Sequence, residues 1–467
     1  MIDQVKETSN AENPKKRLLL DVTIAATTDL NTGIQRVVRR ITRESENVAK
    51  ELTIECVPVV CQGSHLTAVG FDGSTRIDER MFQFAVKFWV ALHQKIASFL
   101  CRIRQGLGTS YLKFLSRLRK ILIPKTAVRW LSTTYRKWTR QSVQFRKGDI
   151  LVLLDASWDL PLEEILQSAK LKGVKVATVV YDLIPVRHPG FHEEPLRVVF
   201  KNWLDLVIAQ ADFMIGISKT VRDDLLEYAT EHCSSNADPD RFDSFRLGAD
   251  FDSCHPANSD RDGQFGQRLQ SVVGDLSGTR FYLSVGTIEP RKNHSFLLDA
   301  FEEVWKKRDD VILVIAGKVG WMCDAVADRI RNHPRINRSL FFFEDATDNE
   351  LRFLYQNAKS LVFPSIVEGF GLPIVEAFYH GLPVLASDTK IHREVGGELA
   401  EYFGLEDPGL LAHLIENLES EKMELKIPRV EITNWNTSCR EFLSKIVENM
   451  RCPSASKETN QTDSRAA

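Results

Sequence analysis

Two stretches in the C-terminal half of the chain hold residue types that can handle a phosphorylated sugar. In EGFGLPIVE, residues 368–376, two glycines let the backbone come close to a ligand, and a helix is expected to begin near Leu372. The free N–H groups and positive dipole end of such a helix suit a phosphate. Glu368 falls in the loop before the helix, where it can accept from sugar hydroxyls. Glu376 falls about one turn inside it, where a carboxylate can take a ribose diol. In GTIEPRKN, residues 286–293, Arg291 and Lys292 stand side by side after a strand. They can neutralise a diphosphate and the charge it gains as a leaving group. Taken singly, Glu368 reads as a loop solvator and Arg291 with Lys292 as an ordinary charged helix start. Their joint order and spacing favour the ligand reading.

The elements that must position these residues follow an α/β pattern. Residues 17–26, RLLLDVTIAA, read as a strand followed by a polar loop with Gly33 and a helix from about Ile34. Residues 149–155, 174–181 and 213–217 are further short apolar runs, each ahead of a helical pattern. Past residue 280 the alternation restarts, with strands expected at 281–285, 311–316, 340–343, 360–364 and 383–387. Helices are expected between them, over 295–307 and 349–359 among others. Strands alternating with helices indicate parallel sheets covered on both faces, here in two successive halves. Residues 234–262, rich in Asp, Ser and Pro, read as the linker, and the polar stretch 453–467 as a loose tail.

The chain has 467 residues, 43% hydrophobic, with 61 Lys plus Arg against 63 Asp plus Glu. That is enough apolar material for a sizeable core and excludes a chain disordered throughout. No apolar run reaches the length of a spanning helix, and the polar N-terminus is not a secretory signal. Eight scattered cysteines without a CxxC pair match neither a zinc pattern nor a disulfide framework, and they fit a reducing cytoplasm.

The near-neutral total hides a polarised chain. Residues 81–148 contain fifteen Lys or Arg and no acid, leaving 46 cations against 63 acids elsewhere. Ala85, Trp89, Leu92, Ile96, Phe99 and Ile103 recur at helical spacing, with Lys87 and Arg102 opposite. After Gly106 and Gly108 the pattern returns with Phe114, Leu118, Ile121 and Leu122, and Lys113, Arg117 and Lys120 on the other face. Such a segment suits an anionic membrane surface. A core helix with a solvated basic face is the plainer reading. No nucleic-acid-binding motif is present, so no nucleic acid partner is expected.

The E-x7-E stretch, VGTIEPRKN, FFFEDATDNELRFLYQNA and GLPVLASD, in that order, resemble retaining glycosyltransferases of family four. The resemblance covers most of residues 210–402. DVTIAATTDLNTGIQRV, from residue 21, is similar to the opening of bacterial members that build O-antigen or capsule polysaccharides. YDLIPVRHP, from residue 181, is similar to their acceptor-side loop. The resemblance implies the GT-B fold, two Rossmann-like domains with a cleft between them. The N-terminal, acceptor-binding domain would span 17–250 after a flexible 1–16. The nucleotide-sugar domain would span 251–434, followed by a C-terminal helix over 435–451 returning to the N-terminal domain and a disordered 452–467. It also implies roles. Glu368 contacts the donor hexose; Gly369, Phe370, Gly371, Leu372 and Ile374 bind sugar and diphosphate through the backbone; Glu376 holds the ribose. Lys292 contacts the diphosphate with Arg291 beside it, Gly286 and Thr287 line the donor loop, and Gly33 leaves room for the donor.

Two departures from the family pattern bear on mechanism. Thr287 stands where many members carry Arg, so a hydroxyl or Arg291 must meet the diphosphate. Tyr181 stands where many carry His, before Asp182, and a phenol is a poor base at neutral pH, with an ordinary pKa of ~10. His188 and His192 follow a few residues on and could substitute. The resemblance implies a hexosyl transfer with retention, by same-face attack in which the leaving phosphate takes the acceptor's proton. DPD (Asp238, Asp240) and DFD (Asp250, Asp252) have metal-like spacing but fall in the linker, and the family implies no metal. The expected donor is GDP-mannose and the expected acceptor an oligosaccharide on a lipid carrier. The expected site of action is the cytoplasmic face of the inner membrane, with residues 81–148 docking the enzyme there. Two other readings are a catalytically silent, membrane-associated GT-B scaffold and a sugar-nucleotide 2-epimerase.

Overall fold

A computed structural model describes residues 15–28, 32–71, 142–233, 236–250, 281–428 and 432–450. Residues 81–141 of the basic segment, Asp252, and the two expected tails up to residue 14 and from 452 lie outside the described residues. The chain divides into two compact units, residues 1–31 with 49–175 and residues 32–48 with 176–467. Both are α/β, as the alternation of patterns indicates.

In the first unit β1 (Arg17–Asp21) is buried along its whole length. It runs parallel to β2 (Glu55–Gln62) on one side and to β5 (Ile150–Leu153) on the other. Continuous apolar strands of this kind are what a sheet covered on both faces requires. Two strands not anticipated, β3 (His65–Ala68) and β4 (Ser142–Val143), extend the sheet in antiparallel fashion beyond β2. The expected strand 17–26 is corrected. It ends at Asp21, and Thr23–Thr27 is a short helix. The Asp21 carboxylate accepts from the Thr23 N–H at 3.1 Å and the Thr23 hydroxyl at 2.5 Å, a local bond that draws the chain out of the ladder.

The second unit holds two sets of strands. β6 (Lys175–Val180), β7 (Phe213–Gly216) and β8 (Phe242–Ser244) are parallel neighbours in that order. β8 corrects the reading of 234–262 as linker throughout, since Phe242 and Ser244 are buried and pair with β7. The other sheet is wholly parallel: β9 (Phe281–Val285), β10 (Ile312–Ala316), β11 (Leu340–Phe343), β12 (Ser360–Phe363), β13 (Val384–Ser387) and β14 (Ala400–Phe403). β14 had not been anticipated. The strand order is β11-β10-β9-β12-β13-β14. Successive residues of β9 and β10 point to opposite faces. Tyr282, Leu313 and Ile315 pack with Leu297, Phe301 and Ile415 on one side. Phe281, Leu283 and Val314 pack with Tyr355, Ile374 and Phe378 on the other.

This order turns at β9 and β12, where chain connections leave in opposite directions. At such a switch point the loops past the carboxyl ends of the two strands splay apart and leave a crevice for a ligand. The last helix, Trp435–Asn449, packs Phe442 on Phe245 at 4.8 Å and anchors Lys445 on Asp243 and the Ser244 carbonyl.

Candidate active site

The two stretches singled out by residue type are the loops that follow β9 and β12. Both flank the switch point. After β9 the chain leaves through Gly286 at φ 151°, a backbone that an L side chain rarely adopts. The loop then passes Thr287 and Glu289 to a single turn at Pro290–Lys292, and Asn293 in left-handed conformation starts the helix His294–Trp305. After β12 the chain reaches Glu368 and Gly369. Gly371, at φ 96°, caps the helix Leu372–Tyr379. The positive dipole end of that helix favours an anion at its start.

Glu368 joins the two loops. Lys292 Nζ donates to its Oε1 at 2.5 Å, and Arg291 pairs with its Oε2. Arg291 also reaches Glu289 at 2.5 Å and the Val367 carbonyl at 3.2 Å. The Lys292 ammonium lies 4.9 Å over the Phe363 ring, which removes water from one side of the charge. Glu368, Lys292, Glu289 and Phe363 are buried. Burial alone would raise the Glu368 carboxyl, but Arg291 and Lys292 outweigh it and hold the pKa at about 2. Burial lowers the Lys292 pKa, against the pull of Glu368. Burial also opposes the charge on Arg291, and Glu368, Glu289 and Asp182 more than restore it. Two cations and two carboxylates therefore share one enclosed volume.

Glu376, expected at a ribose, is a buried carboxylate with two protein partners. Arg36 donates to one oxygen at 2.5 Å and the Tyr355 hydroxyl to the other at 2.8 Å. Arg36 comes from the helix Gly33–Glu51, three residues after Gly33, which is exposed and where an added β-carbon would meet nothing within 4 Å among the described residues. Neither Arg36 nor Tyr355 had been singled out, although both lie inside quoted motifs. Ser218 was missed as well. Its hydroxyl caps the helix Lys219–His232 and donates to the Gly369 carbonyl at 2.8 Å.

Tyr181 and Asp182 follow β6 and meet the glycine loop directly. A side chain at Gly369 would place its β-carbon 2.0 Å from the Tyr181 carbonyl oxygen and 3.1 Å from the Asp182 β-carbon. Burial raises the Asp182 carboxyl pKa, with the nearby Arg291 charge pulling it back. Its Oδ1 accepts from the Ile184 N–H at 3.0 Å. His188 is exposed, whereas His192 is partly buried and stacks on Trp321 at 5.3 Å. The structure thus brings Glu368, Lys292, Arg291, Asp182 and the glycine loop together, with Glu376 one turn along the same helix. Asp238, of the first metal-like pair, instead caps a turn through Asp240 N–H.

Residues 269–427 match the family Glycosyl transferases group 1. The match covers about a third of the chain. Both site loops fall inside it. The serotype-specific mannosyltransferase WbdA of Escherichia coli is 33% identical over 311 residues, 65% of this chain and 38% of its own. This chain therefore spans well under half the length of that relative. The O-antigen chain mannosyltransferase RfbU of Salmonella typhimurium is 24% identical over 73% of this chain and 87% of its own. Among solved structures, HepE of Anabaena in complex with UDP and glucose aligns over 93% of this chain and 97% of its own, at 12% identity and a TM-score of 0.49.

Proposed function

We propose that the chain is a retaining glycosyltransferase that moves a hexose from a nucleoside-diphosphate sugar to a growing, lipid-linked polysaccharide. Mannose, from GDP-mannose, is the favoured hexose, in keeping with the activities named for WbdA and RfbU. The observation that carries the reading is the buried cluster of Lys292, Arg291 and Glu368 at the switch point, beside the helix start at Gly371. A diphosphate entering here would take over Lys292 and Arg291 from Glu368. The freed carboxylate would then accept from the hexose hydroxyls, and the cations would stabilise the departing nucleotide. Glu376 would hold the ribose, with Arg36 and Tyr355 fixing its orientation. Asp182, packed against Gly369, would face the reacting sugar. Phe370, Leu372 and Ile374 would present backbone to the donor, with Gly286, Thr287 and Gly33 leaving room for it. No metal is invoked in this reading.

In the same reading residues 17–250 receive the acceptor, 251–434 the donor, and the basic insert 81–148 docks on the anionic cytoplasmic leaflet. Among the described residues no helix is long and apolar enough to cross a membrane. Binding to liposomes containing anionic lipid, and not to neutral ones, is the expected result; equal binding to both would reject the docking role.

The deciding experiment is a donor panel. The full chain is titrated with GDP-mannose, UDP-glucose, UDP-GlcNAc, UDP-galactose and dTDP-rhamnose, following binding and slow nucleotide release, with Glu376→Ala alongside. One donor bound and lost in the variant supports the transferase and names its base. No donor bound, with anionic liposomes still bound, would replace it with a membrane scaffold. Release of free 2-epimeric sugar would point to an epimerase.

A further inference from the structure

Two large apolar side chains stand next to each other in solvent just past β10: Trp321, 38% exposed, and Met322, 54% exposed. Met322 also holds a left-handed backbone, φ 55°, a conformation costing on the order of 1 kcal/mol for a residue of its kind. Neither exposure nor strain is relieved by packing within the described residues. The indole is nonetheless fixed. Its Nε1 donates to the Phe191 carbonyl at 2.8 Å, and one face stacks on His192 with the rings 24° apart. The exposed area is left to the other face and the edge.

The loop that carries this ring is pinned to the loop after β9. Ile288 N–H donates to the Lys318 carbonyl at 2.8 Å, and Gly320 N–H returns to the Ile288 carbonyl at 2.9 Å. A β-carbon at Gly320 would lie 2.8 Å from the Thr287 methyl. On its other side the indole rests on His192, whose pKa is lowered by burial and by the Arg291 charge. Trp321 is therefore held between two segments that both border the Arg291 cluster, at the rim of the site.

We infer that Trp321, seated on Phe191 and His192 of the acceptor-side residues, forms with Met322 the floor of an acceptor-sugar subsite, on which a pyranose lays its C–H face. Sugar sites pair an aromatic surface with a few polar groups, and Glu193 and Glu194, exposed and next in sequence to His192, supply carboxylate acceptors for hydroxyls. Strand order separates this sugar from the donor. The loops after β10 and β12 flank the loop after β9 on opposite sides, so Trp321 lies across from Glu368 and Glu376. The inference rests on the transferase reading, in which those two carboxylates take the donor.

The test uses saturation-transfer NMR on the full chain with methyl α-D-mannopyranoside, and GDP-mannose and UDP-glucose titrated calorimetrically into the same preparations. Wild type transfers saturation to the pyranoside C–H protons. Trp321→Ala reduces it about fivefold, and Trp321→Phe keeps it within about twofold. Met322→Ala, which removes no hydrogen bond, lowers the signal in the same direction even if alanine at 321 disturbs the loop. Nucleotide-sugar affinity is unchanged in all three. A pyranoside signal absent in wild type or unchanged in Trp321→Ala and Met322→Ala would overturn the subsite. Equal losses of pyranoside and nucleotide sugar would overturn it too, by placing the indole on the donor. Failure of the transferase reading shows separately, as wild type that binds neither nucleotide sugar.

Discussion

Lys292 Nζ and Glu368 Oε1 meet at 2.5 Å across the two loops of the switch point, and both residues are buried. A close buried pair is a poor source of net stability, but losing one member leaves an uncompensated charge in a low-dielectric site. Its presence, 4.9 Å from the Phe363 ring, therefore points to use of those charges in function.

Removing either partner is expected to be costly. Lys292→Met and Glu368→Gln should each lower unfolding stability by about 3–5 kcal/mol, and the double variant by less than their sum. A double-mutant cycle in urea checks this. Additive losses would show that the two side chains do not interact.

The depressed Glu368 pKa makes a signed pH prediction. Its folded pKa, about 2, lies below its ordinary value of 4.5, so its contribution is present above pH 4.5 and is lost as pH falls toward 2. The contribution is about 3 kcal/mol. The stability gap between wild type and Glu368→Gln should narrow by that amount between neutral pH and the acid limit. A gap that stays constant would mean the carboxylate is not held ionised by Arg291 and Lys292.

Much of this was legible in advance, and the misses share a cause. Motif residues such as Arg291, Lys292 and Glu368 announce themselves because cations and glycines at strand ends have few structural uses. The parallel strands past residue 280 were legible because continuous apolar runs of four or five residues admit few alternatives. Arg36 and Ser218 were not, because each acts through a partner far along the chain, 340 residues away at Glu376 and 151 at Gly369, and Tyr355 meets Glu376 from a separate helix 21 residues earlier. No local spacing carries that signal. The early end of β1 was missed because a side-chain bond, Asp21 to Thr23, overrode a sequence with good strand propensity.

Arg36 and Tyr355 should act on donor binding through Glu376. Arg36→Ala is expected to raise the donor KM about tenfold, with a smaller change in kcat. Tyr355→Phe removes the phenol's hydrogen bond to the Glu376 carboxylate and should cost about 1.5–3 kcal/mol of stability. Steady-state kinetics with the donor identified by the panel separates the two parameters. A fall in kcat alone would remove Arg36 from ribose recognition.

Gly369→Ala tests the close approach of the glycine loop to Tyr181. A β-carbon 2.0 Å from the Tyr181 carbonyl cannot be accommodated without moving backbone. The expected cost is about 1–3 kcal/mol, with loss of nucleotide-sugar binding. Gly33→Ala, with nothing within 4 Å, is the matched control and should fold as wild type.

The loops after β9 and β10 interlock glycine against glycine. A β-carbon at Gly317 would fall 1.9 Å from the Gly286 carbonyl oxygen, and one at Gly320 would meet Thr287. No side chain can be added at Gly317 or Gly320 without parting the two loops. Variation along this pair of loops, in a laboratory library or over evolutionary time, is left to the side chains beside these glycines, Thr287 on one loop and Trp321 on the other.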